Sequence, residues 1–302
     1  MKHITETIII FLKGLLMGVA DIIPGVSGGT MAFITGIYER LIKGIKDINI
    51  NFVFSLLKFI IKRDKEYLNK ARTEFTSMDF NLFLPLGGGI VIAFLIGSMI
   101  IPHLLESYPA YTFALFFGLI AGSVKIVHKR IEGYTLGGFL IGIIAFVFGF
   151  MLVGIKELSS SHSLLFIFFS GMIAICAMLL PGISGSFLLL VLGQYRYILE
   201  AIHNFRSNLD IIASFIAGAL IGLLAFSRVI SYFLRKHHAK TMFFLIGLML
   251  GALRLPFENV FFVNRIYPQL NFVWGLSSMI YVGLLIVFGL LIVLAIDSFT
   301  KD

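Results

Sequence analysis

No charged residue lies between Asp79 and His103, and none between Asn271 and Asp297. Runs of that length constrain the chain more than any other feature. In a bilayer core nothing outside the segment satisfies a backbone N–H or C=O, so each run must be a helix that satisfies its own. The whole composition agrees: 59% of the 302 residues are hydrophobic, 13% are charged, and mean hydropathy is +1.00. A soluble domain carries more charge and shorter apolar runs, so the chain reads as an all-α polytopic membrane protein. Spans are predicted at 79–102, 111–127, 134–154, 210–232, 239–253 and 273–297. Apolar arms are predicted at 4–20, Thr30 to about Leu41, 163–180, and from the second motif described below to about Leu199.

The net charge of +8 does not indicate nucleic acid, because the cations lie in short loops between apolar segments, where membrane orientation accounts for them. Cys176 is alone, so no intrachain disulfide exists, and it reads as a small packing residue. The seven His show no metal-ligand spacing, and His237-His238 in a basic loop reads as surface; no cofactor is expected. Lys2, the apolar run and Gly18-Val19-Ala20 imitate a signal peptide, but Glu6 and Lys13 interrupt the run. The segment is read as mature protein. The basic segment 40–78 contains Phe52 to Ile61, too short to span and read as an interfacial helix.

Two polar islands interrupt the apolar pattern. Asp21-Ile22-Ile23-Pro24-Gly25-Val26-Ser27-Gly28-Gly29-Thr30 recurs 157 residues later as Leu180-Pro181-Gly182-Ile183-Ser184-Gly185-Ser186, and the register extends to Gly36/Gly193 and Tyr38/Tyr195. Pro-Gly-aliphatic-Ser-Gly breaks one helix and opens the next with free N–H donors, an arrangement that attracts anions. A second match, Ala110 to Lys125 with Ala239 to Arg254, holds at an offset of 129. Each half thus reads as arm, motif, arm, span, span. The expected division is 1–133 for the first repeat, 134–154 for a linker span, 155–272 for the second repeat and 273–302 for a terminal span.

Charge then orients the chain. With 40–78 inside, eighteen of the 24 Lys and Arg fall on the cytoplasmic side, including Lys2, Arg130 and Lys301. Lys156, Arg196, Arg206, Arg254 and Arg265 fall outside. The two repeats are therefore expected to be inverted, with both termini cytoplasmic. The leading arms, 17 and 18 residues long and roughly 25–27 Å, permit either full crossings or re-entrant hairpins. Because apolar flanks run directly into each Pro-Gly, the hairpins are read as re-entrant, with tips facing near the midplane.

The anion-binding candidates are Pro24, Gly25, Ser27, Gly28, Gly29 and Thr30 with Pro181, Gly182, Ser184, Gly185 and Ser186. Hydroxyls and backbone N–H groups act as donors there, and the glycines allow close approach. The spacing is not that of a nucleotide P-loop, and no His-plus-carboxylate set accompanies the serines, so no enzyme is expected. Asp21 stands where the second half has Met178, and a carboxylate at membrane depth is read as a coupling group. Glu39, Arg40 and Arg196 are headgroup contacts or interfacial anchors. Lys125 and Arg254 occupy matched repeat positions and either contact a headgroup or snorkel.

Ala20 to Arg40 and Met178 to Leu199 resemble the paired signatures of a bacterial polyprenyl-phosphate translocase family, formerly a membrane domain of unknown function. The resemblance runs from about residue 10 to 297 and implies return of undecaprenyl phosphate, the carrier of cell-wall synthesis, across the cytoplasmic membrane. The residues alone reach a membrane transporter for an anionic group. The resemblance adds a polyprenyl-phosphate lipid as partner and proton coupling becomes an expectation for Asp21. The alternatives are a secondary transporter of a small soluble anion, a membrane-embedded enzyme on lipid phosphates, and a structural membrane subunit.

Overall fold

The computed structural model describes residues 2–22, 26–48, 51–76, 78–129, 131, 133–155 and 161–299; Pro24, Gly25, Arg130, Lys156 and Lys301 lie outside them. Among the described residues every regular element is helical. The first motif joins α1 (Lys2–Ile22) to α2 (Gly28–Ile34) and α3 (Tyr38–Lys46). The basic segment forms α4 (Asn51–Lys62) and α5 (Lys65–Thr76), followed by α6 (Phe80–Ser107), α7 (Pro109–Lys129) and α8 (Leu136–Val153). The second motif joins α9 (Leu164–Leu179) to α10 (Gly185–Val191) and α11 (Tyr195–His203). Then come α12 (Leu209–Lys236), α13 (His238–Ala252), α14 (Arg254–Phe261), α15 (Val263–Ile266) and α16 (Leu276–Phe299).

Among the described residues six helices are long and apolar enough to cross a membrane: α6, α7, α8, α12, the α13–α14 unit and α16. This is a multi-pass membrane protein. Its outer surface is oily. Phe139, Ile144, Phe148 and Met151 of α8 and Met279, Leu284, Val287 and Phe288 of α16 are all exposed. So large an apolar exterior is stable only against lipid. Buried residues concentrate instead on α2, α7 and α13, among them Phe33, Ile34, Ile120, Met242, Leu245 and Leu248.

The return arms differ from the single helices expected. Each breaks at the glycine that the two halves share, Gly36 with φ 71° and Gly193 with φ 66°. Ile37 N–H bonds Ala32 O at 2.9 Å, and Gln194 N–H bonds Leu189 O at 2.8 Å, closing the same turn twice. Left-handed backbone ends a helix whatever the hydrophobicity of its neighbours. Beyond the break, α3 is amphipathic: Tyr38, Leu41, Ile42 and Ile45 are buried at helical spacing, with Glu39 and Lys43 exposed. The sequence reading also left α5 and α14 without helices; α14 intervenes between α13 and α16.

Glycine seams pair the long helices. A Cβ on Gly14 of α1 would overlap the carbonyl of Leu86 on α6, and one on Gly171 of α9 would overlap that of Phe215 on α12. Gly118 of α7 meets the carbonyl of Ile286 on α16, while Gly247 of α13 meets that of Gly142 on α8. Without a hydrophobic force between helices in lipid, such backbone proximity is what holds them. The last two pairings are crosswise. α7 packs along α16 rather than along its chain neighbour α8, and α8 packs along α13.

Candidate functional site

Both motifs build the same local device. Ser27 is the N-cap of α2, its Oγ accepting from Gly29 N–H at 3.1 Å. Ser184 is the N-cap of α10, its Oγ accepting from Phe187 N–H at 3.5 Å and lying 2.8 Å from Ser186 Oγ. Serine is favoured here because its oxygen satisfies donors that the helix start leaves over. Gly182 turns with φ 92°, and a Cβ there would come within 2.8 Å of Met249 Cα on α13.

The tips meet one another. Ser27 Oγ donates to Leu180 O at 3.2 Å, with Met178 O at 3.4 Å as a secondary acceptor. Gly182 N–H donates to Thr30 Oγ1 at 2.9 Å, and Tyr38 Oη donates to Leu179 O at 3.0 Å. Three bonds thus join segments about 150 residues apart, and Ser27, Thr30, Tyr38, Gly182 and Ser184 are all buried. The donors that the sequence suggested were free are largely engaged, because a buried polar group away from water must find a protein partner.

Asp21 explains the difference between the tips. Its Oδ1 accepts from Gly28 N–H at 2.7 Å, so the carboxylate caps the first short helix. At the equivalent place the second half has Met178, which offers no acceptor. The N–H groups of Gly185 and Ser186 have no acceptor among the described residues.

The other candidates are dispersed. Arg40 binds Asp79 at 2.9 Å and Glu6 at 2.9 Å, tying α3 to α6 and α1. Glu39 faces His238 at 3.6 Å, at the start of α13. Arg254 pairs with Glu258 at 2.7 Å, donates to Phe150 O at 2.9 Å and stacks over the Phe150 ring at 4.4 Å. Lys125 and Arg196 are exposed. None of these five touches the tip junction. Tyr38 was noticed in the sequence only through its alignment with Tyr195, and its bond to Leu179 was not foreseeable, since the acceptor is a backbone carbonyl in the other half.

A family model described as undecaprenyl phosphate translocase-like matches residues 17–265, which include both motifs. The chain belongs to that family. A polyprenyl-phosphate transporter of Vibrio cholerae serotype O1 is 41% identical over 243 residues, covering 80% of this chain and 75% of that protein. A polyprenyl-phosphate transporter of Staphylococcus aureus is 32% identical over 288 residues, covering 90% of this chain and 91% of its own. No solved structure matches the chain. Within the translocase-like family frame, the junction of the two motifs is the feature of this chain with the most chemistry.

Tyr38→Phe isolates one of the three junction bonds, since the ring keeps its packing on Phe33 at a centroid distance of 4.8 Å. It is expected to loosen the junction by about 1 kcal/mol. Amide hydrogen exchange at Gly182 checks this: exchange should quicken, and an unchanged rate would show that the bond does not hold the tips.

Proposed function

We propose that this protein is a transporter, not an enzyme, that moves undecaprenyl phosphate or a related polyprenyl phosphate between the leaflets of the bacterial cytoplasmic membrane. The observation that carries the proposal is the hydrogen-bonded meeting of two Pro-Gly-x-Ser-Gly motifs from opposite halves of the chain. The names of both relatives support the substrate class.

In this reading the two halves are inverted repeats, and each motif is the tip of a re-entrant hairpin. α2 and α10 have seven residues each, about 10 Å of helix, too short to cross a bilayer. The described arrangement is then the closed form. A phosphate takes over the Ser27 hydroxyl and the Gly182 N–H from the junction, and the Thr30 hydroxyl and the N–H groups of Gly185 and Ser186 turn to its oxygens as well. Hydrogen bonds to an anion are roughly twice as strong as the neutral ones they replace, so the exchange is favourable. The polyprenyl tail stays in lipid while the junction opens first to one side and then to the other.

Asp21 supplies the coupling. Ionised, it holds Gly28 N–H and repels a phosphate. Protonated, it loosens that N–H and no longer repels, so proton uptake accompanies headgroup binding and proton release accompanies its departure.

Reconstituted liposomes test the reading. The purified protein is expected to equilibrate undecaprenyl phosphate between leaflets much faster than protein-free vesicles do. Vesicles that carry inorganic phosphate but leave the lipid in place would sink it in favour of a soluble-anion transporter. The inverted arrangement has its own check in a Cys176→Ala background. A cysteine at Ser107 should label from outside intact cells and one at His237 only after permeabilisation; labelling of both from one side would remove the inversion.

A further inference from the structure

Two apolar grooves open between the long helices, and each has matched positions of the α6–α7 and α12–α13 turns at its mouth. The first, of about 690 Å³, lies between α7 and α16, with Tyr108, Tyr111, Tyr281 and Phe288 in its wall. The second, of about 340 Å³, lies among α8, α12 and α13 and is walled by Phe226, Phe233 and Phe244. At the offset of 129 that relates α7 to α13, Tyr108 corresponds to His237 and Tyr111 to Lys240. The mouth of the first groove is therefore phenolic, whereas that of the second is basic.

The second groove has a direction. Its mouth carries His237 and Lys240 at the α12–α13 turn, and its far end reaches Leu180, whose carbonyl receives the Ser27 hydroxyl. Phe226 to His237 along α12 is about 16 Å at 1.5 Å per residue. Lys240 is exposed, its Cε lies 3.9 Å from the place a Cβ on Gly137 would take, and it makes no ion pair among the described residues. Lys236, which stacks on Tyr232 at 5.4 Å, adds a further positive charge to the same turn. The nearest acid in that turn's pairings is Glu39, which faces His238 and not the groove. An oily channel with an unneutralised ammonium at one end is complementary to a long apolar tail that ends in a phosphate.

We infer that the groove among α8, α12 and α13 is a binding site for a polyprenyl phosphate, with Lys240 and His237 receiving the phosphate and Phe226, Phe233 and Phe244 receiving the first isoprene units of the tail. The assignment rests on the transport reading above and adds to it a site separate from the hairpin motifs, leading to them at Leu180. It also makes the two sides of the transporter unequal, since the tyrosine-lined groove lacks the cation.

The full-length protein in nanodiscs is titrated with farnesyl phosphate, farnesol and inorganic phosphate. Lys240→Glu, on an exposed side chain, is expected to weaken farnesyl phosphate about tenfold and to leave farnesol unchanged. Phe233→Ser should weaken both isoprenoids alike, and Tyr111→Ala in the other groove should weaken neither. If Lys240→Glu binds farnesyl phosphate as the wild type does while the wild type still moves undecaprenyl phosphate in liposomes, the groove site is overturned and the transport reading stands. If inorganic phosphate alone matches farnesyl phosphate in affinity and in its response to Lys240→Glu, the groove is not a lipid site. A wild type that neither binds farnesyl phosphate nor moves the lipid overturns both.

Discussion

Valine at Gly28 or at Gly185 is expected to abolish lipid transport while the protein still inserts and accumulates as the wild type does. A Cβ on Gly28 falls on the Asp21 carboxylate, so any side chain there expels Asp21 from its bond to Gly28 N–H. At Gly185 a Cβ comes within 2.6 Å of Ala174 O and 3.5 Å of Met178 Cβ, which forces α10 away from α9. Overpacking of this kind costs about 1–3 kcal/mol, and here the cost falls on the tips rather than on the long helices. Gly118→Val and Gly247→Val are the contrast. Their Cβ atoms overlap the carbonyls of Ile286 and Gly142 in the seams between long helices, and these variants should lose accumulation itself. Membrane-protein amount and leaflet exchange per molecule separate the two classes. Normal transport by both tip variants would reduce the motifs to helix breaks.

Asp21→Asn is expected to retain polyprenyl-phosphate binding and to lose the response of transport to a pH gradient. The amide oxygen of asparagine still accepts from Gly28 N–H, so the first tip keeps the geometry that Asp21 gives it at 2.7 Å. What disappears is the change of charge. Asp21→Ala is a different lesion: it leaves Gly28 N–H buried without an acceptor, at a cost of about 1–3 kcal/mol, and should lower accumulation as well as transport. The diagnostic measurement is leaflet exchange in vesicles with and without an imposed gradient. An Asn variant that still responds fully to the gradient would move the coupling away from Asp21, with Glu39 and its partner His238 the next pair to test.

The long helices were legible because charge-free runs such as 80–102 allow no other fold in lipid, and their ends fell within a few residues of the polar flanks. The helix starts after each motif were legible too, but Ser27 and Ser184 were read there as donors to a ligand, whereas their oxygens cap those helices. The break at Gly36 was not, because apolar residues continue on both sides of it and hydrophobicity carries no record of a left-handed φ. The aligned Gly36 and Gly193 were the available signal. Least legible was the junction. A sequence displays the Ser27 hydroxyl and the Gly182 N–H as donors, but their acceptors, Leu180 O and Thr30 Oγ1, belong to the other half and come near only in three dimensions. Arg40 shows the same limit: its cationic character was plain, and its two carboxylate partners on other helices were not.

The crosswise seams set an order on biogenesis. α7 leaves the ribosome long before α16, so its glycine face, with Gly118 and Gly122, meets only lipid until Leu290 and Val293 arrive to cover it. α8 likewise waits for α13. The α1–α6 and α9–α12 seams close within each half, but the seams of α7 and α8 do not, and a nascent chain stays unfinished, and open to membrane chaperones and proteases, until the last of the described helices has docked. α16, the last of the described helices, is thereby the latch that closes the α7 seam.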